Sequence, residues 1–313
     1  MTGLESVSAL FHRGIWAWVR ATRRLHPSYG RAAPLSRWPA ESRVQAGALR
    51  LHQLEWPGPR APVVLLHGLN NTAWICARCA DGLAAGGRRV LAPTLRGHGA
   101  SDQRAGPWDL ETTSADLCAW LDALGLEQVD LVGHSWGGKV ALHLAATRPA
   151  RVRRLILADP VPPAGLAWPS GHRALVQAAF LPERRSYADD DALERGMARL
   201  VQHQVGDDTD RAAWRSQHVQ QVGGGYRPAL TQAAFDAILR DAIQADVRPL
   251  LPALRCPVLL LRPTFHLSPD PRAWREARAL WPALREERIL GDHTFIHTHP
   301  APSLAALTRF LDA

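Results

Sequence analysis

The chain has 313 residues, of which 46% are hydrophobic and 21% charged, so it can bury a large core and is not intrinsically disordered. Its formal net charge of +8 comes almost entirely from arginine, because Lys139 is the only lysine. The arginines are spread along the chain, which argues against a nucleic-acid partner. No apolar run reaches the ~18–20 residues of a membrane span, and no signal-peptide pattern is present.

Residues 1–40 are predicted to form an amphipathic helix followed by a linker. Apolar residues recur at three- and four-residue steps between residues 4 and 24, with four arginines nearby. A basic amphipathic helix can lie on a membrane surface, or it can dock its apolar side on the body of the domain. We favour docking in a cytoplasmic protein, and peripheral membrane contact through this helix is the alternative.

The four cysteines do not form the pattern of a disulfide framework. Cys118 and Cys256 lie singly in apolar runs, where cysteine behaves as a small hydrophobe. Cys76 and Cys79 form a CxxC pair one helical turn apart, and no second pair completes four metal ligands. We expect partly buried thiols in a reducing compartment, and the sequence implies no metal or organic cofactor.

Strand and helix patterns alternate from residue 43 to residue 158. After two short strands at 43–46 and 49–54, apolar strands alternate with helices; these strands are predicted at 63–66, 89–93, 129–133 and 152–158. Apolar strands that alternate with helices indicate an α/β fold with a mostly parallel sheet flanked by helices.

The alternation stops after residue 160 and resumes near residue 247. Between Val161 and Asp246 the sequence shows helical patterns and no strand, and two further strands are predicted at 257–262 and 287–290. We therefore predict a core made of residues 41–160 and 247–313. A helical cap, residues 161–246, would be inserted after the sixth strand, near the sheet edge where ligands bind.

The strongest chemical signal is the segment Gly133-His134-Ser135-Trp136-Gly137. It has the G-x-S-x-G form, with an apolar strand before it and a helix after it. Such a turn holds the serine in strained backbone angles and exposes its hydroxyl, so Ser135 is the candidate nucleophile. The first N–H of the following helix, that of Trp136, can stabilise an oxyanion. The turn His67-Gly68-Leu69 follows a neighbouring strand, and the N–H of Leu69 is the candidate second donor.

These segments resemble the α/β-hydrolase superfamily, in the branch with a helical cap. The resemblance rests on the His67-Gly68 turn, the elbow at 133–137 and the loop from Leu95 to Asp102, and it covers about residues 43–312. Thr94 stands where the family frequently has aspartate. Within this loop, we expect Arg96, His98 and Asp102 to brace the chain rather than react.

The resemblance also implies a histidine base late in the chain. The segment Gly291-Asp292-His293 follows the last predicted strand and is similar to the family's G-x-H segment, so His293 is the candidate general base. His297 and His299 lie further along and are expected to be loop or surface residues. His67 is expected to be hydrogen-bonded within its own turn.

A serine–histidine–acid triad also needs an acid that orients His293, and the sequence identifies this residue least clearly. The position after strand 257–262 at which most relatives carry aspartate holds His266, and Asp270 follows four residues later, where Pro269 favours a helix-capping role. Asp159 follows strand 152–158 directly, and some members of the superfamily carry the acid at that strand end. We favour Asp159, with Asp270 as the alternative acid. A third reading is that Asp159 only hydrogen-bonds the elbow or the cap hinge.

The predicted function is that of a serine hydrolase that cleaves a small-molecule carboxylic ester through an acyl-enzyme on Ser135. A serine cannot follow the alkyl-enzyme route of relatives that attack with aspartate, namely epoxide hydrolases and haloalkane dehalogenases. The predicted cap supplies large apolar side chains for a pocket, namely Trp168, Phe180, Leu181, Met197 and Trp214. Alternatives are a thioesterase, lactonase, carbon–carbon-bond hydrolase or perhydrolase, and a non-catalytic binding protein of the same fold.

Overall fold

The computed structural model describes residues 34–103, 106–161, 186–201, 208–264, 271–281 and 283–313. The predicted N-terminal helix at residues 4–24 and residues 162–185 of the predicted cap lie outside these ranges. No helix in the described ranges is long and apolar enough to cross a membrane.

The strands form one large sheet and one small hairpin. In chain order they are β1 Ala40–Ala46, β2 Leu49–Trp56, β3 Arg60–Leu66, β4 Arg88–Pro93, β5 Val129–His134, β6 Val152–Ala158, β7 Val219–Val222, β8 Gly225–Pro228, β9 Val258–Pro263 and β10 Arg285–Ile289. The large sheet has the order β1-β2-β4-β3-β5-β6-β9-β10, in which β2 is antiparallel to β1 and β4 and every other pair is parallel. The predicted α/β fold with a mostly parallel sheet is confirmed.

Helices cover both faces of this sheet. They are α1 Ala77–Ala85, α2 Leu110–Ala123, α3 Trp136–Thr147, α4 Asp190–Val201, α5 Asp208–His218, α6 Gln232–Gln244, α7 Pro271–Leu280, α8 Phe295–Thr298 and α9 Pro300–Asp312. Two buried apolar clusters result, one on each face: α2, α3 and α6 contribute to the first, and α1 and α9 to the second. The central strands are mostly apolar because both of their faces are buried over most of their length, and charged residues such as Arg153, Arg154 and Asp130 lie near their amino ends.

The register of the central strands brings three loops to one edge of the sheet. Leu66 of β3 pairs with Gly133 of β5, and Gly133 pairs with Leu157 of β6. The carboxyl ends of the three strands are therefore level. Strand β3 has β4 on one side and β5 on the other, so the strand order reverses here, and this is the position at which open α/β sheets bind ligands.

The described residues between β6 and β9 form helices, one hairpin and a bridge between Tyr187 and Tyr226, joined by irregular segments. Sequence analysis predicted no strand between residues 161 and 246, and this prediction was wrong for β7 and β8. The two four-residue strands are joined by Gly223 and Gly224, a two-residue glycine turn of the kind that favours hairpins. The apolar side chains of Val219 and Tyr226 pack with Leu193 of α4 in a small separate cluster.

Helix α6 packs against the core rather than standing apart from it. Its buried residues, among them Phe235 and Ile238, belong to the same apolar cluster as α3. The side chain of Lys139, on α3, is 1% exposed, and its Nζ donates to the carbonyl oxygen of Ala242 near the end of α6, at 2.8 Å. The domain boundaries at residues 161 and 246 stay predictions.

Candidate active site

Ser135 lies in the turn that joins β5 to α3. Its backbone has φ 55° and ψ −121°, in the region that side-chain-bearing residues rarely adopt. The turn is held on both sides: Ser135 N donates to the carbonyl oxygen of Ala158 at 3.0 Å, and its own carbonyl accepts from Gly138 N at 3.0 Å and Val161 N at 3.1 Å. The strained angles are thus maintained by the neighbouring strand end and by the helix.

Glycine is required around this turn because three backbone segments meet there. A Cβ added to Gly133 would lie 2.5 Å from the carbonyl oxygen of Gly137, and one added to Gly68 would lie 2.8 Å from the Cβ of Ser135. Both distances are shorter than non-bonded atoms tolerate. The close approach brings the turn after β3 directly beside the candidate nucleophile.

His293 lies four residues after the end of β10, on a segment that leads into α8. Its Nε2 is 2.9 Å from Ser135 Oγ and its Nδ1 is 2.6 Å from Asp159 Oδ2. These contacts fit a serine hydroxyl that donates to Nε2 and an Nδ1–H that donates to the carboxylate. Ser135, His293 and Asp159, which the sequence nominated from three separate strand ends, therefore form one continuous chain of hydrogen bonds.

Asp159 follows β6 immediately and has φ 41°, which turns its side chain back toward the sheet edge. Its backbone N–H donates to the carbonyl oxygen of Leu261 on β9 at 2.8 Å, and the residue is 9% exposed. The carboxylate therefore reaches His293 from β6 rather than from the loop after β9. The alternative acid, Asp270, lies outside the described residues.

Asp159 also determines the basicity of His293. Burial acts to lower the pKa of His293, but the hydrogen bond and negative charge of Asp159 outweigh it, with a smaller contribution from Asp292, so that the pKa is raised above its usual value. A more basic imidazole is a better acceptor for the serine proton.

The predicted oxyanion donors border the same space. Trp136 begins α3 directly after Ser135, and Leu69 follows Gly68 in the turn beside it. The next residue, Asn70, has φ 56°, and its N–H donates to His98 Nε2 at 3.3 Å. The His98 ring also stacks on Trp136, with ring centroids 6.0 Å apart. The oxyanion roles of Leu69 and Trp136 stay predictions.

His67 has the role that the sequence suggested, within its own turn. Its Nδ1 donates to the carbonyl oxygen of Gly68 at 2.8 Å, and its Nε2 accepts from Leu95 N at 2.9 Å. Burial lowers the pKa of His67 well below its usual value, and it lowers that of His98 to about 4. Both rings are therefore neutral, and both tie the turn after β3 to the loop after β4.

The loop after β4 is braced as predicted. Arg96 forms an ion pair with Asp116 on α2, and Asp102 accepts a hydrogen bond from Arg50 N at 3.0 Å. Thr94, which replaces the family's frequent aspartate, accepts from Ala73 N at 3.2 Å and bonds the His52 ring at 2.9 Å. The neutral hydroxyl of Thr94 thus has a structural role, because both of its contacts are with neighbouring elements of the fold.

His297 and His299 do not join the triad. His297 Nε2 lies 3.1 Å from Asp210 on α5, and Arg78 reaches the same carboxylate at 2.7 Å. His299 is the residue between α8 and α9, in agreement with the predicted loop position, but it is buried, and its carbonyl oxygen accepts from Ser303 Oγ. One histidine at the site was missed from the sequence: His134 contacts His293, and its only sequence signal was its place between Gly133 and Ser135 in the elbow.

The structure tests only part of the predictions for the cap and the cysteines. Trp168, Phe180 and Leu181 lie outside the described residues, as do the side chains of Met197 and Trp214. All four cysteines are free thiols; Cys76 and Cys79 are fully buried, and burial raises the pKa of Cys79 to about 12. Within the described ranges, no group of three or more His, Cys, Asp or Glu side chains could hold a metal ion.

Comparison with known proteins places this site in context. A family model described as the alpha/beta hydrolase fold matches residues 61–300. A 105-residue stretch is 43% identical to Lipase LipV of Mycobacterium tuberculosis, covering 33% of this chain and 39% of the lipase. A 119-residue stretch is 42% identical to the 2-hydroxy-6-oxo-2,4-heptadienoate hydrolase of Pseudomonas putida, covering 36% and 42%. The matches thus span about two fifths of these relatives.

A solved structure extends the likeness over most of the chain. E-2-(acetamidomethylene)succinate hydrolase has a TM-score of 0.74 and 24% identity, and the match covers 88% of this chain and 100% of that one. At this identity the likeness shows the fold.

Proposed function

We propose that this chain, which belongs to the α/β-hydrolase fold family, is a serine hydrolase that cleaves carboxylic esters with an apolar acyl or alcohol group. The observation that carries the proposal is the hydrogen-bonded series Ser135, His293 and Asp159, with contacts of 2.9 and 2.6 Å. A hydroxyl, a base with raised pKa and an orienting carboxylate in this order are the parts that acyl transfer requires.

In the proposed reaction, Ser135 Oγ attacks the ester carbonyl carbon while its proton passes to His293 Nε2. The N–H groups of Leu69 and Trp136 stabilise the negative oxygen of the tetrahedral intermediate, assisted by the positive end of α3. Collapse of the intermediate expels the alcohol, which takes the proton from His293. Water then attacks the acyl-enzyme with His293 again as base, and the acid is released.

The contact of Asp159 with His293 has two effects in this reaction. The Asp159 carboxylate accepts the Nδ1–H of His293, which fixes the tautomer whose Nε2 can accept a proton. It also stabilises the imidazolium that forms when Ser135 is deprotonated. Asp159 itself stays ionised throughout.

Other substrate classes use the same nucleophile and base. The alternatives are hydrolysis of a thioester, a lactone or a carbon–carbon bond, and perhydrolysis. The similarity to a 2-hydroxy-6-oxo-2,4-heptadienoate hydrolase makes that dienoate a specific second candidate substrate. The serine at the elbow disfavours haloalkane and epoxide substrates, because their alkyl-enzyme esters form on a carboxylate.

The test is a panel of p-nitrophenyl esters of graded acyl length, with the dienoate, a thioester and a lactone, assayed with the wild type and with Ser135→Ala. We expect ester turnover in the wild type, none above background in Ser135→Ala, and labelling of Ser135 by a fluorophosphonate. Absence of both hydrolysis and labelling would leave the non-catalytic binding protein as the better account. Turnover of the dienoate alone would favour the second candidate.

A further inference from the structure

His134 contacts the candidate base although it reacts with nothing in the proposed mechanism. It ends β5, directly before Ser135, and is 1% exposed. Its Nε2 lies 2.6 Å from the backbone carbonyl oxygen of His293, and the two imidazole centroids are 4.8 Å apart. The residue before the nucleophile is therefore bonded to the backbone of the residue that carries the base.

The protonation state of His134 follows from its surroundings. Burial, reinforced by the neighbouring His293, lowers the pKa of His134 to about 3, so its ring is neutral at any pH at which the protein would work. A neutral imidazole has one N–H, and a carbonyl can only accept. The proton is thus assigned to Nε2, which donates to His293. Nδ1 is buried and has no hydrogen-bond partner among the described residues.

This contact constrains the one part of the triad that lies on an irregular segment. Ser135 and Asp159 follow paired strands directly, whereas His293 lies in the segment between β10 and α8. The two hydrogen bonds of its ring fix the ring only if the backbone is correctly placed. Because His134 and Ser135 are consecutive, a bond that fixes the His293 backbone to His134 also fixes it relative to the nucleophile.

We propose that His134 is a positioning residue, whose Nε2–H holds the His293 carbonyl and thereby sets the distance from His293 Nε2 to Ser135 Oγ. The inference rests on the proposed serine hydrolase function and adds a supporting residue to the triad, one that does not itself touch the substrate.

The test compares three substitutions at this position. His134→Phe fills a similar volume without a donor, and we expect kcat to fall about 10- to 100-fold with KM within about twofold, because a displacement of about 1 Å at a reacting centre costs this much. His134→Gln carries an amide N–H at a reach similar to Nε2, so it is expected to recover most of kcat. His134→Asn is too short to reach the carbonyl and is expected to behave like His134→Phe. The matched control is His143→Phe on α3, which is expected to have wild-type kinetics.

The readouts separate positioning from folding and from the parent proposal. Tm is measured for each variant, and fluorophosphonate labelling of Ser135 is expected to slow in parallel with kcat. Wild-type kcat in His134→Phe would overturn the inference, and so would a Gln variant no faster than the Asn variant at equal Tm. If His134→Phe does not fold, the comparison of kcat between the Gln and Asn variants tests the inference instead. A wild type that neither hydrolyses nor labels would instead overturn the serine hydrolase proposal and this inference with it.

Discussion

Two members of the proposed triad hold backbone angles that L-amino acids rarely adopt. Ser135 has φ 55° and Asp159 has φ 41°, and each follows a strand whose register is fixed by its neighbours. Strain of this kind costs about 1–3 kcal/mol per residue and persists only where the surrounding structure imposes it. At both positions the sharp turn places the side chain within hydrogen-bond distance of the His293 ring.

The strain at Ser135 predicts an opposition between stability and activity. Ser135→Gly removes the steric cost of positive φ, about 1–3 kcal/mol, at an unfolded-state entropy cost of about 0.5–1 kcal/mol. We expect Ser135→Gly to unfold at a higher temperature than Ser135→Ala, with both variants inactive. Calorimetry of the pair checks this. Equal Tm values would limit the strain at Ser135 to the entropy cost of glycine, about 0.5–1 kcal/mol, and a lower Tm for Ser135→Gly would contradict the prediction.

Asp159 predicts both a rate and a pH profile. Asp159→Asn is expected to lower kcat about 10²- to 10⁴-fold with the fold intact, as for other triad acids. His293 must be neutral to act as base, so wild-type activity should fall as the pH drops through its raised pKa. In Asp159→Asn, burial remains while the raising influence is lost, so the acid limb of the remaining activity should move to lower pH.

The decisive control for this assignment is Asp270→Asn, which should leave kcat and the pH profile close to those of the wild type. A crippled Asp270→Asn beside a nearly normal Asp159→Asn would show that the acid comes from the loop after β9. Circular dichroism of both variants separates a catalytic loss from misfolding.

The sequence pointed to Ser135 and His293 because each lies in a short local motif after a predicted strand, the G-x-S-x-G elbow for Ser135 and the Gly291-Asp292-His293 segment for His293. It left Asp159 and Asp270 open, because the choice depends on which of two adjacent strand ends directs a carboxylate toward His293. That direction is fixed by the φ of Asp159 and by its hydrogen bond to Leu261, which are tertiary features. His134 was missed for the same reason, since its partner is 159 residues away.

At the scale of elements, an ion pair and hydrogen bonds hold helix α5 against the core. Asp210 accepts from Arg78 of α1 at 2.7 Å and lies 3.1 Å from His297 of α8. Further along α5, the hydroxyls of Ser216 and Thr72 are 2.6 Å apart. The helix is thereby bonded to the turn before α1 and to the helix that follows His293.

The Asp210 contacts predict that α5 is held by a partly buried ion pair. Arg78 and Asp210 have side chains 5% and 15% exposed, so Asp210→Ala is expected to destabilise the protein by about 1–3 kcal/mol. The matched control is Asp208→Ala on the same helix, whose side chain is 85% exposed and whose loss should cost less than about 0.5 kcal/mol. Urea unfolding and limited proteolysis measure the two. Equal losses of unfolding free energy in the two variants would contradict a role for Asp210 in holding α5 against the core.

Strands could be predicted from the sequence where their own residues show a clear apolar pattern. The strands at residues 63–66, 129–133 and 152–158 were recognised because a strand buried on both faces is mostly apolar. The hairpin of β7 and β8 was not recognised, because four-residue strands with Gln220 and Gln221 between two valines carry little apolar signal. The glycine pair in its turn was the cue that could have found it.

At the scale of the whole molecule, buried neutral histidines make stability depend on pH. Burial lowers the pKa of His134 to about 3 and that of His98 and His218 to about 4, and His67 shifts in the same direction. The unfolded chain titrates these groups near 6.5. Between pH 6.5 and about 4 the unfolded state therefore binds more protons than the folded state, and stability is lost as the pH falls.

Each of these histidines adds a slope of up to about 1.4 kcal/mol per pH unit in that range. His293, whose pKa is raised, contributes in the opposite sense, because its stabilisation is present at low pH and is lost as the pH rises through its folded-state pKa. The net expectation is a steep loss of unfolding free energy between pH 6.5 and 5. Urea titrations at half-unit intervals measure it, and a flat profile would contradict neutral burial of these rings.

The buried Lys139 has a consequence for covalent labelling. It is the only lysine, and its amine lies beneath α6 with a hydrogen bond to Ala242, so the folded surface offers no lysine amine to acylating reagents. Acylation of Lys139 by a succinimidyl ester therefore requires that α6 separate from α3 and expose the amine. The fraction of molecules that gain the mass of one acyl group on Lys139 would therefore measure how often α6 opens, and no probe has to be introduced.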